Sequence, residues 1–213
     1  MDICYPLSNK SQWHDNELRY SLRSVESFIP HNRVFVIGHK PEWLTNVVHI
    51  PFLDSYVSIK DANIISKLLR VCSTDISDQF AFWSDDQYAI SQDANNYLFF
   101  AKYSGELTGG AGQYNKMRFT TKETLKSRGL PILNYETHYP QVIDKYDYIS
   151  IMLQTPFGQG HGILVNSFYF NSTNHPRIDK SLVSGFLNHG DRADEATKQK
   201  LIEMFPQKSK YEK

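Results

Sequence analysis

Two cysteines, no excess charge of either sign and no long apolar run set the first limits on this 213-residue chain. Cys4 and Cys72 each sit inside an apolar run. Buried free thiols in a reducing compartment are the expectation, with a disulfide between them left open. Lysine plus arginine number 23, and aspartate plus glutamate number 23. No global field therefore recruits a polyanion, and a nucleic-acid partner would need a local basic patch. No stretch approaches the length of a bilayer span, and Met1-Asp2-Ile3-Cys4 does not read as a signal peptide, so a cytoplasmic location is expected. Internal repeats and low-complexity linkers are missing, as are the spacings of a P-loop and of a dinucleotide fingerprint. The length suits one compact domain. Nothing in the composition sets an oligomeric state.

What is present is an alternating pattern. Aromatics make up 14% of the chain, with 13 Tyr and 13 Phe, enough for a packed core and for some flat side chains that stack on ligands. Asp2–Leu7 reads as a strand. A helix capped by Asp15 or Asn16 runs to about Phe28, with Leu18, Leu22, Val25 and Ile29 on one face, and Pro30 ends it. Arg33–Gly38 is a near-continuous apolar run, the mark of a strand covered on both faces. Val47–Ile50, a helix over Asn63–Cys72 and a strand over Gln79–Trp83 follow. This order predicts an α/β fold with a mainly parallel sheet and flanking helices, whose ligands bind beyond the carboxyl ends of the strands. The second half is less regular. It holds a glycine-rich loop over 104–116, a helix over Thr120–Arg128 and a strand over Leu130–Glu136. A helix between Asp144 and Gln154, an apolar run over Gly162–Phe170 and a terminal helix over Asp191–Phe205 follow, and the lysine-rich tail is expected to fray.

Five groups of residues carry possible chemistry. Asp85 and Asp86 follow a buried strand directly, where two carboxylates can seat Mg²⁺ or Mn²⁺ against a diphosphate; a surface turn is the plain alternative. Gly109 and Gly110, in Thr108-Gly109-Gly110-Ala111-Gly112, let backbone N–H groups approach a phosphate, form a lid, or simply make a flexible loop. His138 is a natural general base, and Glu136, two residues earlier, would share its face on a strand and orient the ring. Arg19 and Arg23 lie one helical turn apart and could clamp a phosphate; a solvated face paired with Glu26 is the other reading. Lys116, Arg118 and Lys122, with Tyr114 and Phe119 interleaved, could touch a polyanionic acceptor or merely form a solvated helix face.

Taken together, several segments resemble a known family. Asn16-Glu17-Leu18-Arg19-Tyr20-Ser21-Leu22-Arg23-Ser24 is followed by Ile29-Pro30, by Val34-Phe35-Val36-Ile37-Gly38 and by Pro41-Glu42-Trp43-Leu44. Phe80-Ala81-Phe82-Trp83-Ser84-Asp85-Asp86 closes the series. Over residues 16–86 this resembles the second conserved block of the Stealth family of sugar-phosphate transferases. Asp2-Ile3-Cys4-Tyr5 looks like a shortened first block, and His138 with Pro140 like part of a third. The resemblance implies a GT-A-like core, a UDP-sugar or related nucleotide-sugar donor and a Mn²⁺ or Mg²⁺ ion at Asp85 and Asp86. It also implies donor contacts from Asp2 and Arg23, with Arg19 one turn away as the alternative read from spacing, and His138 as the base. Residues 1–103 would form the donor half and 104–213 the acceptor half. The family's continuation of the first block is replaced here by Pro6-Leu7-Ser8-Asn9. A compact phage-type sugar transferase is therefore expected, acting on a glycan or a hydroxymethylated DNA base in a bacterial or phage-infected cytoplasm. Sugar-phosphate transfer and a non-catalytic binding module are the alternatives.

Overall fold

The computed structural model describes residues 1–109, 111–189 and 193–213. Its centre is a five-stranded sheet in the order β3-β2-β1-β4-β7. β1 (Asp2–Leu7), β2 (Val34–Gly38), β3 (Val48–Ile50) and β4 (Gln79–Phe82) are parallel, and β7 (Gln141–Asp144) runs antiparallel along β4. The α/β expectation with a mainly parallel sheet holds, and the physical reason is visible in the strands. Val34 and Val36 of β2 face one layer while Phe35 and Ile37 face the other, and all four are buried. A strand covered on both faces needs no polar alternation.

Helices α1 (Asn16–Phe28) and α2 (Lys60–Cys72) are the crossovers. Leu18, Leu22 and Val25 of α1 pack on Tyr5, Val36 and Trp83. Ile65 and Leu68 of α2 pack on Cys4, Phe35 and Phe80. Helices α5 (Lys145–Leu153) and α6 (Val165–Asn171) thicken the α2 layer through Tyr148 and Phe168. Two short pairings complete the frame. β5 (Gln87–Ala89) pairs antiparallel with β9 (Phe186–Asn188), and β6 (Ala101–Tyr103) pairs parallel with β8 (Arg177–Asp179). Cys4 and Cys72 are free and buried, and burial pushes both thiols up, Cys72 to about 12, leaving both inert at neutral pH.

Several local expectations fail for identifiable reasons. Among the described residues, 130–136 make one bridge, Glu106 to Leu133, and otherwise run as irregular chain held by backbone bonds to 104–107 and by side chains such as Asn171. Asp15 precedes α1 in a left-handed conformation and caps nothing. The Ser11 Oγ accepts from the Asp15 N–H at 2.6 Å, and Glu17 accepts from the Trp13 N–H at 3.0 Å. The glycine-rich loop is shorter than its composition suggests, because α4 (Gln113–Ser127) begins within it. Asp191 lies outside the described residues, and α7 runs over Glu195–Met204 from a cap at Asp194. The tail does not fray. Tyr211 is 1% exposed, and Glu212 is buried against α1.

Candidate active site

The chain moves from β1 through β2 to β3 on one side, then returns to place β4 on the other side of β1. The carboxyl ends of β1 and β4 therefore flank the point where strand order reverses, the usual ligand crevice of an open α/β sheet. Register decides what meets there. Cys4 pairs with Phe82, so the chain leaving β4 stands level with the chain leaving β1 through Ser8 and Asn9.

Asp85 and Asp86 are the two central residues of a tight turn. The Gln87 N–H donates to the Ser84 carbonyl at 3.2 Å, and the Ser84 N–H donates to the Gln87 Oε1 at 3.0 Å. Trp83, fully buried, holds the turn from below by donating from Nε1 to the Gln87 carbonyl at 2.9 Å. Ser21 donates to the same carbonyl at 2.7 Å, and Ser24 accepts from the Ala89 N–H at 3.1 Å. The buried serines of α1 thus serve to fix the acidic turn. Both aspartates are half-buried. Burial, with the charges of Asp86 and Glu17 added, pushes Asp85 up to about 7. That crowding of negative charge is what a divalent cation relieves. Among the described residues no group of three His, Cys, Asp or Glu side chains could hold a metal by itself. A two-carboxylate seat completed by substrate phosphates and water still suits Mg²⁺ or Mn²⁺.

His138 stands opposite. Its Nδ1 lies 3.1 Å from the Asp86 Oδ2, and its backbone takes φ 54°. The antiparallel pairing of β7 explains the meeting. Gln141 pairs with Phe82, so the turn entering β7 lies beside the turn leaving β4.

Glu136 accepts from the Ser167 N–H at 2.8 Å and from Asn166 at 3.4 Å, capping α6, and the charge of His138 acts on it as well. Asp61, which sequence reasoning missed, accepts from the neighbouring Val165 N–H at 3.0 Å. Burial, then the Glu136 charge, pushes Asp61 up to about 7, and burial raises Glu136 as well.

A cleft of about 530 Å³ opens beyond β1 and β2, lined by Ser8, Asn9, His39, Phe52, Asp54 and Lys67. Lys67 is 3% exposed; it donates to the Leu7 carbonyl at 2.7 Å and pairs with Asp54 at 2.6 Å. Gly38 makes the floor, at φ +105°, where an added Cβ would stand 2.2 Å from the Leu7 carbonyl oxygen. His39, on the cleft wall, lies 3.7 Å from Asp15. A lone lysine in a helix and a glycine at a strand end left no signal in the sequence that would have found them.

Other expected site residues sit elsewhere. Asp2 is at the amino end of β1, the opposite edge of the sheet, where it accepts from Arg33 at 2.8 Å and from the Ser77 N–H at 2.9 Å. It ties β1 to the loop before β4 and does not belong to the crevice. Arg23 is buried and spends its fork on Glu212 at 2.6 and 2.8 Å and on the Phe205 carbonyl at 2.8 Å. Arg19 reaches Glu212 at 3.3 Å and lies over the Trp43 ring. Neither a phosphate clamp nor a solvated face describes this pair, because a buried carboxylate from the tail takes their charge. Lys116, Arg118 and Lys122 do not form one stripe. Met117, Thr121 and Leu125 are the buried face of α4, with Lys116 on one flank and Arg118 and Lys122 on the other. Arg118 donates to Thr108 at 3.2 Å, bracing the loop that carries Gly109. Gly110 lies outside the described residues.

No protein-family model and no curated protein sequence matches the chain. Among solved structures, the glycosyltransferase GlyE of Streptococcus pneumoniae TIGR4 superposes on 95% of this chain with a TM-score of 0.41 and 8% identity. The chain spans 59% of that protein's length.

Proposed function

We propose that this protein transfers a sugar from a nucleotide-sugar donor to an acceptor hydroxyl. The observation that carries the reading is the turn at the strand-order reversal, where Asp85 and Asp86 crowd together and Asp86 meets His138 at 3.1 Å. The cleft beyond β1 and β2 is large enough for a nucleoside. Asp85 and Asp86 would hold Mn²⁺ or Mg²⁺, which when bound neutralises the diphosphate of the departing nucleotide. Their aspartate oxygens are preorganised by the Ser84–Gln87 turn and reorganise little during reaction. His138 orients by donating from Nδ1 to Asp86, and the neutral tautomer that does so accepts the acceptor hydroxyl proton at Nε2. The resemblance of residues 16–86 to the Stealth block supports the donor class. The engagement of Arg19 and Arg23 with Glu212 favours sugar transfer over sugar-phosphate transfer, since the resemblance assigned Arg23 to the donor phosphates.

The test is incubation with UDP-sugars, Mn²⁺ and either glycan or hydroxymethylated DNA. UDP release is expected, with a loss of roughly 100-fold or more in Asp86→Asn and His138→Gln. UMP release would assign sugar-phosphate transfer. A donor-induced rise in Tm without either product would assign a binding module. No release, no Tm shift and no effect of Asp86→Asn would end the reading.

A further inference from the structure

The turn that presents His138 is held by one residue from a distant part of the chain. Lys102, on β6, is fully buried. Its Nζ donates to the Pro140 carbonyl at 2.8 Å and to the Leu98 carbonyl at 3.1 Å. Its backbone N–H donates to the Gln141 Oε1 at 3.2 Å. The backbone carbonyl of Lys102 accepts from Gln141 Nε2 at 3.2 Å and from the Thr137 hydroxyl at 3.2 Å. Residues on both sides of His138 are therefore tied to this single position. Lys102 is itself anchored, because β6 pairs with β8 at Ile178 and the adjoining Ala101 N–H donates to the Pro176 carbonyl at 2.7 Å.

The geometry points to Lys102 as the positioning residue that holds the 137–141 turn so that His138 reaches Asp86. The inference rests on the proposed role of His138 for its catalytic consequence, but not for its geometry. A left-handed backbone at a non-glycine residue such as His138 is strained and persists only where its surroundings over-determine it. Four hydrogen bonds joining Thr137, Pro140 and Gln141 to one buried residue meet that condition. A lysine buried without a carboxylate is otherwise hard to explain, since a leucine or methionine would fill the volume without desolvating an amine. The long stem is what lets one residue reach Pro140 and Leu98 together.

The experiment is heteronuclear NMR of the His138 ring in wild type, Lys102→Met and Thr137→Val, each first confirmed as folded by circular dichroism. In wild type the Nδ1 signal should report a hydrogen bond that Asp86→Asn perturbs. Lys102→Met should move it in the same direction, and Thr137→Val should move it part of the way. In a working transfer assay, Lys102→Met should lower kcat roughly 10- to 100-fold with donor KM unchanged, and should have no further effect in a His138→Gln background. If Lys102→Met does not fold, Thr137→Val alone decides. An unshifted His138 signal in the folded variant overturns the inference. Absence of transfer by the wild-type protein would sink the proposed function and leave the ring measurement standing.

Discussion

At the scale of single residues, the sequence marks the acidic pair Asp85-Asp86 but hides a second carboxylate pair, Asp61 and Glu136. Asp85-Asp86 stands out because a buried strand ends in two charges. Asp61 does not, because an aspartate in the first turn of a helix is what any stable helix carries. Only folding brings it beside Glu136, at the start of α6. Its folded pKa of about 7 lies above the unfolded value of 3.8, so the native state holds an extra proton between those values. Stability from this group is then full below about pH 4 and falls as pH rises through 7. Asp61→Asn keeps an oxygen for the Val165 N–H and removes the charge. It should match wild type in urea denaturation near pH 4 and gain about 1–2 kcal/mol by pH 8, the partial exposure of Asp61 limiting the gain. Equal stability at both pH values would count against the buried repulsion.

At the scale of elements, the decisive contact is between α1 and the last residues of the chain. Periodicity along α1 located Leu18, Leu22 and Val25 on the core face and offered Arg19 and Arg23 only Glu26 or a phosphate. Their partner is 189 positions away from Arg23, and no local pattern encodes such a pairing. The charge-rich composition of 206–213 suggested a solvated end, yet Ser209, Tyr211 and Glu212 are buried, and Glu212 bridges to Leu44. Glu212→Gln should strand the Arg23 guanidinium and cost about 3–5 kcal/mol in equilibrium unfolding. Adding Arg23→Met should recover most of that loss, because the guanidinium left without its counter-charge is then gone. A merely additive double variant would mean that the pair is not coupled. The same helix shows why Ser21 and Ser24 are buried: their hydroxyls hold the segment from Gln87 to Ala89, directly after the acidic turn.

At the scale of the whole molecule, neutrality and layering act together. With 23 charges of each sign, nothing long-range attracts a polyanion, and the basic side chains of α4 are split between two flanks. Recognition must then come from the crevice itself. UDP with Mn²⁺ at a hundredfold excess over Kd should stabilise the fold by ~2.7 kcal/mol. At ~2–4 °C per kcal/mol for a chain of this size, the thermal shift is several degrees. The Mn²⁺-dependent part should vanish in Asp85→Asn combined with Asp86→Asn, read by calorimetry with and without the ion. Retention of the ion's effect in that variant would move the metal seat elsewhere.

The sequence by itself determined the sheet and its crossovers, because a strand covered on both faces and an amphipathic helix are written in the spacing of Val34–Gly38 and Leu18–Val25. It also determined that two carboxylates leave the end of a central strand. Tertiary structure alone decided what those carboxylates face. The antiparallel β7 delivers His138 to Asp86, Lys102 reaches across from β6, and the tail removes Arg19 and Arg23 from the crevice. Spacing along a chain records neighbours within a few residues, whereas these contacts join segments 38 to 193 positions apart, and only the packing of the layers selects them.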